Sequence, residues 1–463
     1  MIRGILFAFT SLFAILLLSS PAKAACLIPD PAAVAEVLAG TRTEANAAWW
    51  GFDKEDSTEI LQAAIYSGAK RVVVPFMGDP WIIRPITLRG GLELFFEPGV
   101  LILAKEGEFK GKGDSLFRAT SVEDFRLVGY GATLRMRKKD YQSPAYEKAE
   151  WRMGVAIVGC KRVHIEGLRV ESSGGDGIYI GSGGKLRWCE DVTIRNCVCH
   201  DNHRQGLSVI SAVNLLVENC VFSGTDGTAP EAGIDLEPDS PDERLVNCVV
   251  RNCLFENNSG HAILVYLKPL AKESEPVSIR FENCHSRMGY RAGMTPEEFD
   301  RENLQGWSGM AVGAAKDDGP KGLIEFINCT SENTGREGAK VYDKSAGSVK
   351  VRFVNCSWRN PWMSLAADSG GSRVPVLLHT RRPNLVQDAG GVEFVDCAVH
   401  DTVYRPALQF DEDKEYRGIR DVSGVITVNN HTGAWMKLGP LARDCSVKVL
   451  EATGEVRIEG GMN

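Results

Sequence analysis

Seven stretches of this chain end in the same two-residue signature. Apolar-alternating runs close on Asn or Asp followed by Cys: IRNC at Cys197, VENC at Cys220, VRNC at Cys253, FENC at Cys284, FINC at Cys329, FVNC at Cys356 and FVDC at Cys397. The intervals are 23, 33, 31, 45, 27 and 41 residues. A core coil in the twenties with loops of variable length accounts for them. Such a period, built from short β-branched strands with no helical pattern between them, reads as a β-solenoid. One coil cannot bury its apolar face alone, so coils must stack and share a core. In DVTIRNCVC, Val192, Ile194 and Cys197 point inward while Thr193 and Arg195 point outward. The Asn before each Cys belongs at a bend, its side-chain amide bonding the Asn of the next coil, with the small cysteine filling the corner beside it.

This repeat settles how the thirteen cysteines should be read. Disulfide frameworks are the usual reason for so many in an exported chain, but they do not repeat one local context. A metal centre is not expected either: only Cys197-x-Cys199 is closely spaced, and no paired CxxC occurs. Residues 1–24 read as a secretory signal, with Arg3, an apolar run to Leu18 and the Ala22-Lys23-Ala24 cleavage pattern. Cys26 raises lipid attachment, against which Lys23-Ala24-Ala25 is a poor lipobox. The expected location is periplasmic or secreted, with no membrane association after cleavage. With 44% hydrophobic and 24% charged residues in 463, the chain is long enough for a large core. A net charge of -7 and the lack of a basic stripe or a Lys/Arg run of the kind that neutralises phosphates argue against nucleic acid as a partner.

A second signature recurs on another side of the coil. It reads Gly177-Ile178-Tyr179-Ile180, Gly206-Leu207-Ser208-Val209, Gly233-Ile234-Asp235-Leu236, Ala262-Ile263-Leu264-Val265 and Gly309-Met310-Ala311-Val312. Apolar members face the core, so the outward columns can be written down. One holds Tyr179, Ser208, Asp235, Leu264 and Ala311; its neighbour holds Gly181, Ile210, Glu237, Tyr266 and Gly313. At the bend lie Asp176, Gln205, Ala232 and His261, with Gly175, Arg204, Glu231 and Gly260 one position earlier.

With these columns in place, the chain resembles the right-handed parallel β-helix superfamily of pectate lyases and polygalacturonases. DSTEILQAAIYSGAKRVVVP (Asp56 to Pro75) looks like its N-terminal helical cap, and PITLRGGLELFFEPGVLILA and FRLVGYGATLRM like its first coils. The resemblance implies an all-β, right-handed parallel β-helix divided into a signal (1–24), a cap region (25–80) and the helix proper (81–463). It also supplies the handedness. SGGDGIYIG resembles the first polygalacturonase motif and carries a catalytic role onto Asp176. The Asp-Asp pair and Gly-His-Gly are replaced, and YLK matches the last motif only at Lys268. A divergent relative acting on another glycan is implied.

Residues two apart on a strand lie ~6.6 Å apart, close to the ~6.5–9.5 Å an inverting glycosidase keeps between acid and base. Asp235 and Glu237 are therefore expected to do acid–base work with Asp176 and His203, while Arg204, Glu231, His261, Tyr266 and Lys268 bind substrate. Each has a plainer reading. Asp176 can be a turn former, Asp235 and Glu237 hydrated surface charges, His203 and Arg204 bend caps or partners of Glu231, and Tyr266 and Lys268 a cover for Leu264. Trp49, Trp50 and Trp151 read as sugar platforms or as packing residues. Three functions follow. The first is a glycoside hydrolase without cofactor. The second is a polysaccharide lyase or uronate epimerase, with Arg204 or Lys268 as cation, His203 or Tyr266 as base, and Ca²⁺ held by the acidic strand. The third is a non-catalytic glycan-binding solenoid. A polysaccharide partner and a monomeric chain are expected. Gly289 to Gly306 interrupts the repeat, with Thr295 placed to cap a helix starting at Pro296.

Overall fold

The computed structural model describes residues 29–288, 295–301, 306–363, 373–380, 382, 384, 386–401, 403, 405–412, 417–429, 435–451 and 457–459. Residues 1–28, with the expected signal and Cys26, lie outside them. The central coils are each made of three short strands, two of which merge into one longer strand in several other coils. One full turn runs through Cys189–Arg195, Val198–His200 and Gln205–Val209, and the next through Ala212–Glu218, Val221–Ser223 and Ala232–Leu236. Every strand pairs in parallel with its equivalents one coil before and after, as in Thr193 opposite Leu216 and Ser208 opposite Asp235. The result is an all-β parallel solenoid. One continuous face stacks thirteen strands, from Ile86–Thr87 to Arg457–Glu459.

The bends follow from the Asn-Cys signature. Asn196, Asn219, Asn252, Asn283, Asn328, Asn355 and Asp396 have φ between 51° and 56°, left-handed positions that Asn and Asp tolerate best among residues with a Cβ. Their amides stack from coil to coil: Asn283 Nδ2 donates to Asn252 Oδ1 (3.1 Å), Asn328 to Asn283 (3.1 Å) and Asn355 to Asn328 (2.8 Å). The adjoining cysteines are buried free thiols; among the described residues none forms a disulfide. Inward-facing rings stack in the same way: Phe281, Phe326, Phe353 and Phe394 lie 4.9, 5.0 and 5.5 Å apart in sequence, nearly coplanar.

Parallel pairing starts ahead of residue 81: Glu44–Asn46 pairs with Arg71–Val74, which pairs with Leu92–Phe96. Between the first two, the helix Thr58–Tyr66 turns Leu61, Ala64 and Ile65 into the core, the i, i+3, i+4 stripe of an amphipathic helix. In the interrupting segment, Pro296–Arg301 is helical. Thr295 Oγ1 accepts from Glu298 N (3.2 Å) and Glu298 Oε2 accepts from Thr295 N (2.8 Å), a reciprocal cap. Residues 289–294 and 302–305 fall outside the described set. No helix among the described residues is long and apolar enough to cross a membrane.

Candidate functional site

The thirteen-strand face carries the outward columns in register. Tyr179, Ser208, Asp235, Leu264, Ala311 and Lys340 are consecutive partners. In the neighbouring column Tyr266, Gly313, Tyr342 and His379 follow one another. Strand alternation and coil register thus bring Asp176, Arg204, Asp235, Glu237 and Tyr266 to one side of the molecule.

Arg204 is the hub. Its backbone N donates to Gly175 O (3.0 Å), which fixes the start of the strand Gln205–Val209. Its guanidinium then lies 3.9 Å from Asp176 Oδ2 and 3.5 Å from Glu237 Oε2. The three carboxyls around it differ in access. Asp176 and Asp235 are fully buried, whereas the Glu237 side chain keeps 29% of its exposure. Both oxygens of Asp176 and Oδ1 of Asp235 have no hydrogen-bond partner. The other Asp235 oxygen accepts from Gln205 Nε2 (2.9 Å), whose Oε1 in turn accepts from Ala232 N (3.1 Å).

Burial sets the protonation of these groups. Desolvation pushes Asp176 up to about 7 against the opposing pull of Arg204, with Glu150 and Glu237 adding to the rise. Asp235 is raised well above the ordinary carboxylate range, first by burial and then by the charge of Glu237. Burial alone would weaken the Arg204 cation, but Asp176, Asp235 and Glu237 hold it firmly protonated. The ~6.6 Å expected from strand spacing describes backbone positions. Asp235 is enclosed while Glu237 keeps part of its exposure, so the two carboxyls do not face a sugar together.

The remaining expected site residues are spread more widely. His203 faces away from the carboxylates: its Nδ1 lies 2.8 Å from Gln142 Nε2 and its Nε2 2.9 Å from Thr228 Oγ1, and burial lowers its pKa. Glu231 braces its own loop by accepting from Gly227 N (2.9 Å). His261 is buried edge-on against Trp307 (5.0 Å), and desolvation, with Lys340 and Arg336 nearby, drives its pKa to about 3. Lys268 is exposed on the turn after the strand Ile263–Tyr266 and forms no ion pair with these carboxylates. Tyr266 does lie on the site face. Its hydroxyl accepts from Arg382 Nη1 (3.0 Å), and its ring covers Leu264 and Ala311 together with Tyr342. Trp49 and Trp50 pack against the core, while Trp151 is 48% exposed.

Several residues of this face were not singled out from the sequence. The Tyr179 ring lies over Gly181 and the Tyr342 ring over Gly313, where a Cβ would meet ring carbons at 2.2 and 2.1 Å. Tyr179 and Tyr342 thereby flank the carboxyls from the two ends of the stack. Burial raises both phenols, and the charges of Asp176 and of Asp235, respectively, add to it. Tyr342 and Arg382 carried no motif, and Gln205 was placed at the bend without a role; extending the outward columns past Gly313 would have found Tyr342. Among the described residues, no group of three or more His, Cys, Asp or Glu side chains is arranged to hold a metal ion.

A family profile described as a right handed beta helix region matches residues 148–295. The uncharacterized protein YclG of Bacillus subtilis (strain 168) is 28% identical over 191 residues, 38% of this chain and 32% of its own length. The SPbeta prophage-derived uncharacterized protein YorA of the same organism is 28% identical over 291 residues, covering 60% and 46%. The chain thus spans a third to a half of the length of these curated relatives. Among solved structures, the Dettilon tailspike protein (gp208) matches with a TM-score of 0.59 at 12% identity, over 89% of this chain and 69% of the tailspike. The mannuronan C-5 epimerase AlgE6 A-module of Azotobacter vinelandii gives 0.57 at 14%, over 89% and 100%. The family 28 exopolygalacturonase of Yersinia enterocolitica gives 0.52 at 11%, over 90% and 77%. The chain has the fold of a right-handed parallel β-helix. At these identities the structural likeness speaks for the fold alone.

Proposed function

We propose that the chain is an exported carbohydrate-active enzyme, periplasmic or secreted, in which a polysaccharide lies across the thirteen-strand face and is hydrolysed at Glu237. The observation that carries this reading is the graded exposure around one guanidinium. Asp176 and Asp235 are enclosed, and Glu237 alone of the three carboxyls beside Arg204 is open to a substrate. Asp176 and Asp235 are then positioning groups that act through Arg204 and Glu237. Arg204, already engaged by Glu237 and Asp176, has little charge to spare for a substrate carboxylate, which favours hydrolysis over elimination. The polysaccharide class is supported by the fold shared with proteins named as an epimerase of mannuronan and an exopolygalacturonase.

A second reading, lyase or epimerase, has one observation in its favour: the Tyr266 hydroxyl sits 3.0 Å from the Arg382 guanidinium, a phenol and a cation in the pairing that proton abstraction beside a carboxylate needs. A glycan panel distinguishes the two. Hydrolysis gives new reducing ends without ultraviolet absorbance, and Glu237→Gln, folded by its circular dichroism, is expected to lose ~10²–10⁴-fold in rate. An absorbing unsaturated product lost in Tyr266→Phe supports the lyase, and loss on chelation adds Ca²⁺ to it. Binding without any product leaves a glycan-binding solenoid.

A further inference from the structure

The bend position at the start of the face is equivalent from coil to coil. Gln205 pairs with Ala232, and backbone bonds carry the same position on through His261 and Ser308 to Glu337. Arg336 therefore occupies on its coil the place that Arg204 occupies four coils earlier. The two arginines meet opposite surroundings. Arg204 is engaged by Asp176 and Glu237. Arg336 lies over the Trp307 ring, 4.9 Å from its centroid, and its Nε is enclosed without a hydrogen-bond partner. Among the described residues no carboxylate stands within ion-pair reach of it. The adjoining Glu337 is 2% exposed, accepts from Ser308 Oγ (2.8 Å) and has Lys340 Nζ 3.6 Å away. That acid is enclosed, whereas the Lys340 side chain keeps 18% of its exposure. Two cations thus share one buried carboxylate here, where three carboxyls share one cation around Arg204.

Lys340 also lies on the path that a glycan crossing the face would take. It continues the outward column of Asp235, Leu264 and Ala311, three coil spacings or ~14 Å beyond Asp235. Between the two, the Tyr266 and Tyr342 rings cover Leu264 and Ala311, and Lys340 Nζ stands 5.5 Å from the centroid of the Tyr342 ring. Phenol rings combine apolar area with a polar edge, which suits the faces and hydroxyls of sugars. We propose that Lys340 and Arg336 form a subsite for an anionic substituent of the glycan, a carboxylate or a sulfate, several sugar units away from Glu237. The proposal rests on the reading that a polysaccharide lies across this face, and adds where its charge is held. An anion at this place meets two cations and can form charge-assisted hydrogen bonds with both. The same group placed at Glu237 would face carboxyls instead, so the charge pattern of the face also sets the register in which the chain binds.

The test reads binding, so it does not depend on turnover. Folded Glu237→Gln is titrated calorimetrically with a panel of oligomers: mannuronate, galacturonate and sulfated galactan, each beside its carboxyl-reduced or desulfated counterpart, at low and high salt. An anionic member should bind more tightly than its neutral counterpart and weaken as salt rises. Which members do so tells carboxylate from sulfate. Adding Lys340→Met or Arg336→Gln should weaken the anionic probe ~10–100-fold and the neutral one far less, while Lys340→Arg keeps most of the affinity. Lys340→Met leaves Glu337 without its cation, so the double variant Lys340→Met/Glu337→Gln replaces it if the single one does not fold. Equal affinity for charged and neutral probes, or an anionic probe indifferent to these variants, overturns the subsite. Cleavage of a panel member by the wild type then still upholds the hydrolase reading. Charge-dependent binding through Lys340 without any cleavage upholds the subsite and removes hydrolysis. If no panel member binds, the glycan reading of the face falls and the subsite with it.

Discussion

Asp176 illustrates how much a single side chain is constrained by its place on the coil. It is fully enclosed, neither oxygen has a hydrogen-bond donor, and its nearest cation is 3.9 Å away and shared with Glu237. Its carboxyl is accordingly pushed up to about 7, compared with ~3.9 in an unfolded chain. A group whose folded pKa is raised stabilises the protein fully below its unfolded pKa, and that contribution disappears as pH rises through the folded value. Between about pH 4 and 7 the wild type should lose stability on the order of 4 kcal/mol from this residue. Asp176→Asn stays neutral throughout and should flatten that slope, which melting curves across the window will measure. A variant whose slope equals that of the wild type places the titration elsewhere. His203 is the opposite lesson. It neighbours Arg204 in sequence, yet Gln142 and Thr228, from other coils' loops, claim both its ring nitrogens. No local pattern announces a partner 61 residues away.

At the scale of one bend, what was legible was whatever the repeat itself encodes. Period-2 alternation and the tetrapeptides placed Tyr179, Ser208, Asp235, Leu264 and Ala311 in one column because register in a buried face admits no one-residue slip. Side-chain burial was not legible, which is why Asp235 turns out enclosed while Glu237 keeps part of its exposure. Nor were contributions from loops, such as Arg382 on Tyr266 or Glu243 beneath Asp239. The Asn ladder offers a test of the bend. Asn283 has a φ of 52° and sits between Asn252 and Asn328. Substitution by Ala or Gly removes both amide bonds, each worth ~1 kcal/mol, but only Ala adds a Cβ to the left-handed conformation, at ~1–2 kcal/mol. Urea unfolding should therefore rank Asn283→Ala below Asn283→Gly by about 1 kcal/mol. The reverse order would mean that the bend relaxes and that the amide stack, not the backbone, dictates Asn.

For the whole molecule, the decisive property is that the strands of each coil pair only with those of adjacent coils, so stability propagates along one axis. The candidate site occupies the coils from Asp176 to Tyr266, and among the described residues Tyr342 and Arg382 reach it from the later coils. Beyond it, the core is tied together by the stack Phe281–Phe326–Phe353–Phe394. Phe326 is fully buried between two rings, and its replacement by Ala should cost ~3–5 kcal/mol. In a compact globule that loss would be felt throughout. In a one-dimensional stack it should concentrate at the interfaces of the strand Gly322–Ile327 with Val277–Glu282 and Lys350–Val354. Hydrogen exchange of Phe326→Ala should accordingly speed up from about residue 322 onward while amides of Gln205–Val209 and Ala232–Leu236 keep their protection. Uniform acceleration along the chain would show that the coils unfold as one cooperative unit, and the site would then depend on packing nearly a hundred residues away.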